Sequence, residues 1–97
     1  MESRHFEIVG ADRTDVRNLA AAISAATGLA PTSINEYSAH FTARDGITDI
    51  GVAPAYPSMG PAVLFTLGPA GEDVEKQIAA VFESEYGWVL TAQYQAA

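Results

Sequence analysis

One spacing occurs twice in this chain, and it limits the fold more than any other feature. Gly10 stands five residues before Asp15-Val16, and Gly28 stands 12 residues after Val16. Gly68 stands five residues before Asp73-Val74, and Gly87 stands 13 residues after Val74. In each half an extended apolar segment leads into the first glycine, and helical spacing fills the stretch that follows. Each half then ends in another extended segment. Two βαβ halves within 97 residues predict one domain over 1–97 and an α+β class. The expected plan is a ferredoxin-like βαββαβ sandwich, with both helices on one face of an antiparallel sheet. The stretch at 44–60 is longer than that plan needs and has room for an extra edge strand. A mixed α+β fold with another strand order is the alternative.

The elements follow from local pattern. Arg4–Val9 alternates, with Phe6 and Ile8 on one face and His5 and Glu7 on the other. A helix is expected from about Thr14 to Thr27, with Asp12 as its N-cap and Gly28 at its end. Val16, Leu19, Ala20, Ile23 and Ala26 form its buried stripe. Ser33–Ala43 reads as one strand, Asp45-Gly46 as a tight turn and Ile47–Val52 as the return. Pro54, Pro57, Gly60 and Pro61 mark a loop. Ala62–Leu67 is apolar on both sides, as a central strand would be.

A second helix is expected from about Glu72 to Tyr86. Val74, Ile78, Val81 and Phe82 face inward, and Glu72, Glu75 and Glu83 face solvent. Trp88–Tyr94 is the last strand. Either Trp88, Leu90 and Tyr94 or Val89 and Thr91 must point away from the helices.

The chain has no cysteine, so disulfides, thiolate metal sites and cysteine nucleophiles are excluded. No apolar run reaches the roughly 20 residues of a membrane span. The start lacks a signal-peptide pattern, and a cytoplasmic protein is expected. The net charge is −7, and residues 45–97 hold seven acids against Lys76 alone. Such a chain repels phosphate backbones, so direct nucleic-acid binding is not expected. A basic protein surface would be attracted. His5 and His40 have no metal-ligand spacing, and no nucleophile–base pattern stands out. The expectation is therefore no enzyme, no cofactor and no metal.

What remains is binding. Tyr56 and Met59 sit in the proline-stiffened loop, and Tyr and Met are enriched at interface cores. With Asp45, Asp49, Glu72, Glu75 and Glu83 they form the expected contact set for a larger, basic-surfaced protein.

Phe6-Glu7-Ile8-Val9-Gly10-Ala11-Asp12-Arg13, with a helix ending at Gly28, resembles the start of an ACT-type regulatory domain. That resemblance implies amino-acid sensing between paired domains, with Gly10, Asp12 and Arg13 on the ligand side and a homodimer as the assembly. In size and charge the chain is also similar to phage anti-CRISPR-type inhibitors and immunity proteins, which block a basic site on a larger protein. The protein-binding inhibitor or regulator is the leading expectation, and the ACT-like sensor is the alternative.

Overall fold

A computed structural model describes residues 3–55 and 60–93. The strands are β1 (Ser3–Val9), β2 (Ser33–Ile34), β3 (Ala39–Thr42), β4 (Asp49–Ala53), β5 (Val63–Leu67) and β6 (Val89–Ala92). Helix α1 (Val16–Thr27) follows β1, and α2 (Gly71–Val81) follows β5. A π-helical turn, Phe82–Tyr86, extends α2. The architecture is α+β: two helices and one six-stranded sheet in the order β2-β3-β4-β5-β1-β6, every pair antiparallel.

Strand alternation sorts the side chains between the two sheet faces. Ala39, Val52, Leu64 and Phe6 lie in register on one face, and Phe41, Ile50, Thr66 and Arg4 form the next row. These rows meet the helices. Ile8, Leu19, Ile23, Phe41, Ile50, Val52, Leu64, Ile78 and Phe82 are all fully enclosed in one core. Central β5 keeps its predicted apolar character on both sides. Leu64 and Thr66 are buried inward, whereas Val63, Phe65 and Leu67 are half-buried on the open face.

Helix α1 begins later than expected. Asp15, not Asp12, is its N-cap, and Asp15 Oδ1 accepts from the Asn18 amide at 2.9 Å. Both acids suit a cap by type. Asp15 wins because Val16 and Leu19 must enter the core as the first helical residues. The expected strand Ser33–Ala43 is also broken. Asn35 Oδ1 accepts from the amides of Tyr37 and Ser38, closing a turn between β2 and β3. Tyr37, which the alternation placed beside Ala39 and Phe41, sits on that turn at 63% exposure.

The Asp45-Gly46 turn joins β3 to β4 as predicted, but β4, the strand of the 44–60 stretch, lies inside the sheet between β3 and β5 and the edge on that side is β2. The far end of the turn docks on the second half through Thr48. The fully buried Thr48 hydroxyl donates to Asp45 Oδ2 at 2.6 Å and accepts from the Ala70 amide at 2.9 Å. Gly68 (φ 140°) lies against the same residue, and a Cβ there would come within 2.7 Å of Thr48 Cα. The first glycine of the second repeat is thus required by both its backbone angle and its neighbour.

The last strand resolves the question of faces. Trp88 is buried, stacks on Tyr86 at 4.5 Å and meets Phe82 edge-on at 5.1 Å. It points to the helix side, and Leu90 packs on the same core. An outward Trp88–Leu90 patch is thereby excluded, and Val89 and Thr91 face out instead. The cause is the π turn, in which the Phe82 carbonyl accepts from the amides of both Gly87 and Trp88. That holds the indole beneath the end of α2. Tyr94 lies outside the described residues.

On the open face, Phe65 lies across β4 at Gly51. A Cβ on Gly51 would fall 1.9 Å from Phe65 Cζ, well inside contact distance. Gly51→Ala should therefore displace the ring and cost about 1–3 kcal/mol by overpacking. Adding Phe65→Ala should remove most of that penalty. Urea unfolding of the wild type, the two single variants and the double variant measures the coupling.

Candidate functional site

Three surfaces hold the residues picked out from the sequence, and the fold separates them. The first is the outer side of α2 and its π turn. Glu72, Asp73 and Glu83 are exposed there, with Lys76 as the one base among them, whereas the exposed Glu85 lies beside Ala25 of α1. Lys76 Nζ lies 3.5 Å from Glu72, an i,i+4 pair in open solvent. Such pairs contribute little to stability. Glu72 and Asp73 stand in the first turn, where the helix dipole favours acids.

Glu75 does not belong to this surface. It was expected on the solvent side, but it is 6% exposed and faces the sheet. Arg4 Nε donates to both of its carboxylate oxygens, at 2.6 and 2.7 Å. The signal was present in the sequence. Glu75 continues the Ile78–Phe82 stripe by three residues toward the N-terminus, and Arg4 shares the inward parity of Phe6 and Ile8. A buried acid opposite an inward arginine is an internal tie between β1 and α2. It is not a contact for a partner.

Asp45 is likewise committed inside the fold. Its Oδ1 accepts from the amides of Ile47 and Thr48, and its Oδ2 accepts from the Thr48 hydroxyl. The Thr48 hydroxyl, followed by the two amides, holds the Asp45 carboxyl below the usual carboxylate range. Asp49 is exposed, but it alternates with the inward Ile50 and so lies on the open sheet face. The sheet separates it from Glu72 and Glu83. Tyr56 and Met59 lie outside the described residues.

The second surface is the open sheet face. His40, Gly51, Phe65 and His5 form one row across β3, β4, β5 and β1. The phenyl ring lies between the imidazoles, 6.0 Å from His5 in a stacked arrangement and 5.8 Å from His40 edge-on. Ser3 Oγ is 2.8 Å from His5 Nε2, and Ser38 Oγ is 3.2 Å from His40 Nε2. Neither serine–histidine pair belongs to the expected contact set. Each joins residues two apart in the chain, so the signal was a Ser-x-His repeated at 3–5 and 38–40. These pairs sit on a flat sheet surface. Catalysis by a serine needs a third group orienting the base, and among the described residues no third group hydrogen-bonds either imidazole. No cluster of three or more metal-ligating side chains occurs among those residues either.

The third surface is the turn ahead of α1. Gly10, Asp12 and Arg13 are exposed on it, and Gly10 packs near Trp88. A shallow depression of about 350 Å³ opens beside the start of α1, lined by Asp15, Val16, Arg17, Ile34, Asn35 and Glu36. The three ACT-like positions are not among its lining residues.

No family model matches this chain, and neither a curated protein nor a solved structure matches it. No described helix is long and apolar enough to cross a membrane.

The Asp45 turn carries a pH signature. A carboxylate with a depressed native pKa contributes stability above its unfolded value, near pH 4, and that contribution is lost as pH falls through the native value. Asp45→Asn keeps an acceptor for the amides and loses the charge. It should be less stable than wild type at pH 7, and the gap should narrow below about pH 4. Thermal melts of both proteins between pH 2 and 7 check this.

Proposed function

We propose that this chain is a non-catalytic interaction module that binds a larger, basic-surfaced protein and inhibits or regulates it. The reading rests on the outer side of α2 and its π turn. Three exposed acids with one base stand there, and another acid of that segment, Glu75, is consumed internally by Arg4. The exposed charges hold no part of the fold together beyond their small dipole and i,i+4 contributions. Charge that the fold does not need, concentrated on one side, suits steering toward a basic site. The contact set is then Glu72, Asp73 and Glu83, with Asp45 and Glu75 left to structural roles. We read the fold as ferredoxin-like, with β2 and β3 added at one edge. The adjacent strands β4-β5-β1-β6 and the place of each helix between them support that reading.

Capture of a partner on tagged protein at low salt, lost at high salt, is the expected behaviour. With that partner in hand, Glu72→Lys combined with Glu83→Lys should slow association by about tenfold or more and leave the melting temperature nearly unchanged. An unchanged association rate would remove the electrostatic basis of the proposal.

The small-molecule sensor remains a second reading because of the depression beside α1, where Arg17 stands with Asp15 and Glu36. A cation between carboxylates suits a zwitterion such as an amino acid. A ligand that binds only the native state raises the melting temperature. A rise with one of the 20 amino acids at millimolar concentration, abolished by Arg17→Ala, is what that reading requires.

A further inference from the structure

The two edges of the sheet are built differently. On one side β2 is only two residues long, follows Pro31 closely and is followed by Glu36. Short length, proline and charge are the usual devices that keep a sheet edge from pairing. The other edge, β6, is four residues long and has neither proline nor charge. From Gly87 to Ala97 the chain contains no charged residue and no proline.

The backbone of β6 is ready to pair. The Gln93 amide donates to the His5 carbonyl of β1 at 2.9 Å. In an antiparallel ladder alternate residues turn their groups to the same side. Thr91 and Val89 therefore face β1, and the N–H and C=O groups of Leu90 and Ala92 point outward. Among the described residues no strand lies beyond them. Beside this edge Val9 and Val89 form an exposed cross-strand pair, at 44% and 51% exposure.

We infer that β6 pairs with β6 of a second copy of this chain, antiparallel about a two-fold axis at Thr91, so that two sheets join into one. The choice of a second copy follows from charge. Two chains of net charge −7 repel, and the approach that opposes them least brings together their uncharged edges. A basic partner would be drawn to the acidic side of α2 instead. The edge is also self-complementary. With Leu90 opposite Ala92 of the copy, all four outward groups on each strand find partners in four hydrogen bonds, as an isologous contact requires. Register shifts by two residues lose this match. One would call on the Trp88 amide, which the Phe82 carbonyl already holds.

The test is sedimentation equilibrium of the full chain over a range of protein and salt concentrations. The dimer fraction should rise with protein concentration. It should also rise as salt is raised from about 0.05 to 0.5 M, because screening relieves the mutual repulsion. This is the opposite of the salt response expected for capture of a basic partner, so the two proposals can fail separately. Ala92→Pro removes one outward donor per chain without touching the ladder to β1. Thr91→Glu places two like charges face to face at the axis, each opposite Glu7 of its own chain. Each should weaken dimerisation by about tenfold or more with the monomer's circular dichroism unchanged. If Ala92→Pro fails to fold, Thr91→Glu decides the matter. A wild-type chain that stays monomeric at millimolar concentration in high salt would overturn the inference. So would a dimer that dissociates on adding salt, or one that persists in Thr91→Glu at low salt.

Discussion

The insertion of β5 between β4 and β1 is the constraint on which the rest of this structure depends. It brings Phe6 to Leu64 and Arg4 to Thr66, pairings between residues about 60 positions apart. It also lays Phe65 over Gly51 and carries Gly68 against Thr48. Neither repeat is complete without it. The first repeat contributes β1 and β4 with a gap between them, and the second contributes the strand that fills the gap. The continuous core under both helices is the result.

Much of this was legible because the chemistry is local. Each repeat glycine sits where its segment turns, each helix shows its apolar stripe, and Asp45-Gly46 forms the hairpin it advertises. The failures were cases where a long-range partner decided a local choice. Asp12 and Asp15 are equivalent as caps until the core fixes where Val16 must lie. Ser33–Ala43 has an unbroken strand pattern until Asn35 captures two amides and folds it back on itself. Trp88 could have faced either way, and only the π turn, which no spacing announces, commits it.

The same distinction governs the candidate site. Counting acids located the negative half of the chain correctly, but a count cannot separate carboxylates with internal work from those without it. Glu75 and Asp45 are consumed by Arg4 and by the hairpin turn. Glu72, Asp73, Glu83 and Glu85 are not enclosed. A helical wheel read together with the parity of β1 would have removed Glu75. Asp45 needed only its own turn, since all three of its bonds run to Ile47 and Thr48, two and three residues on.

The interleaving of the repeats also sets the order in which a ribosome could release a stable product. Until residue 67 has emerged from the exit tunnel, β1 has neither of its neighbours, because β5 and β6 both come later in the chain. A nascent first half can form α1 and the β3–β4 hairpin, but Phe6 and Ile8 stay uncovered by strands on either side. Contacts of such long sequence separation close slowly. The apolar side of β1 is therefore open to chaperones, or to neighbouring nascent chains, until β5 and β6 arrive.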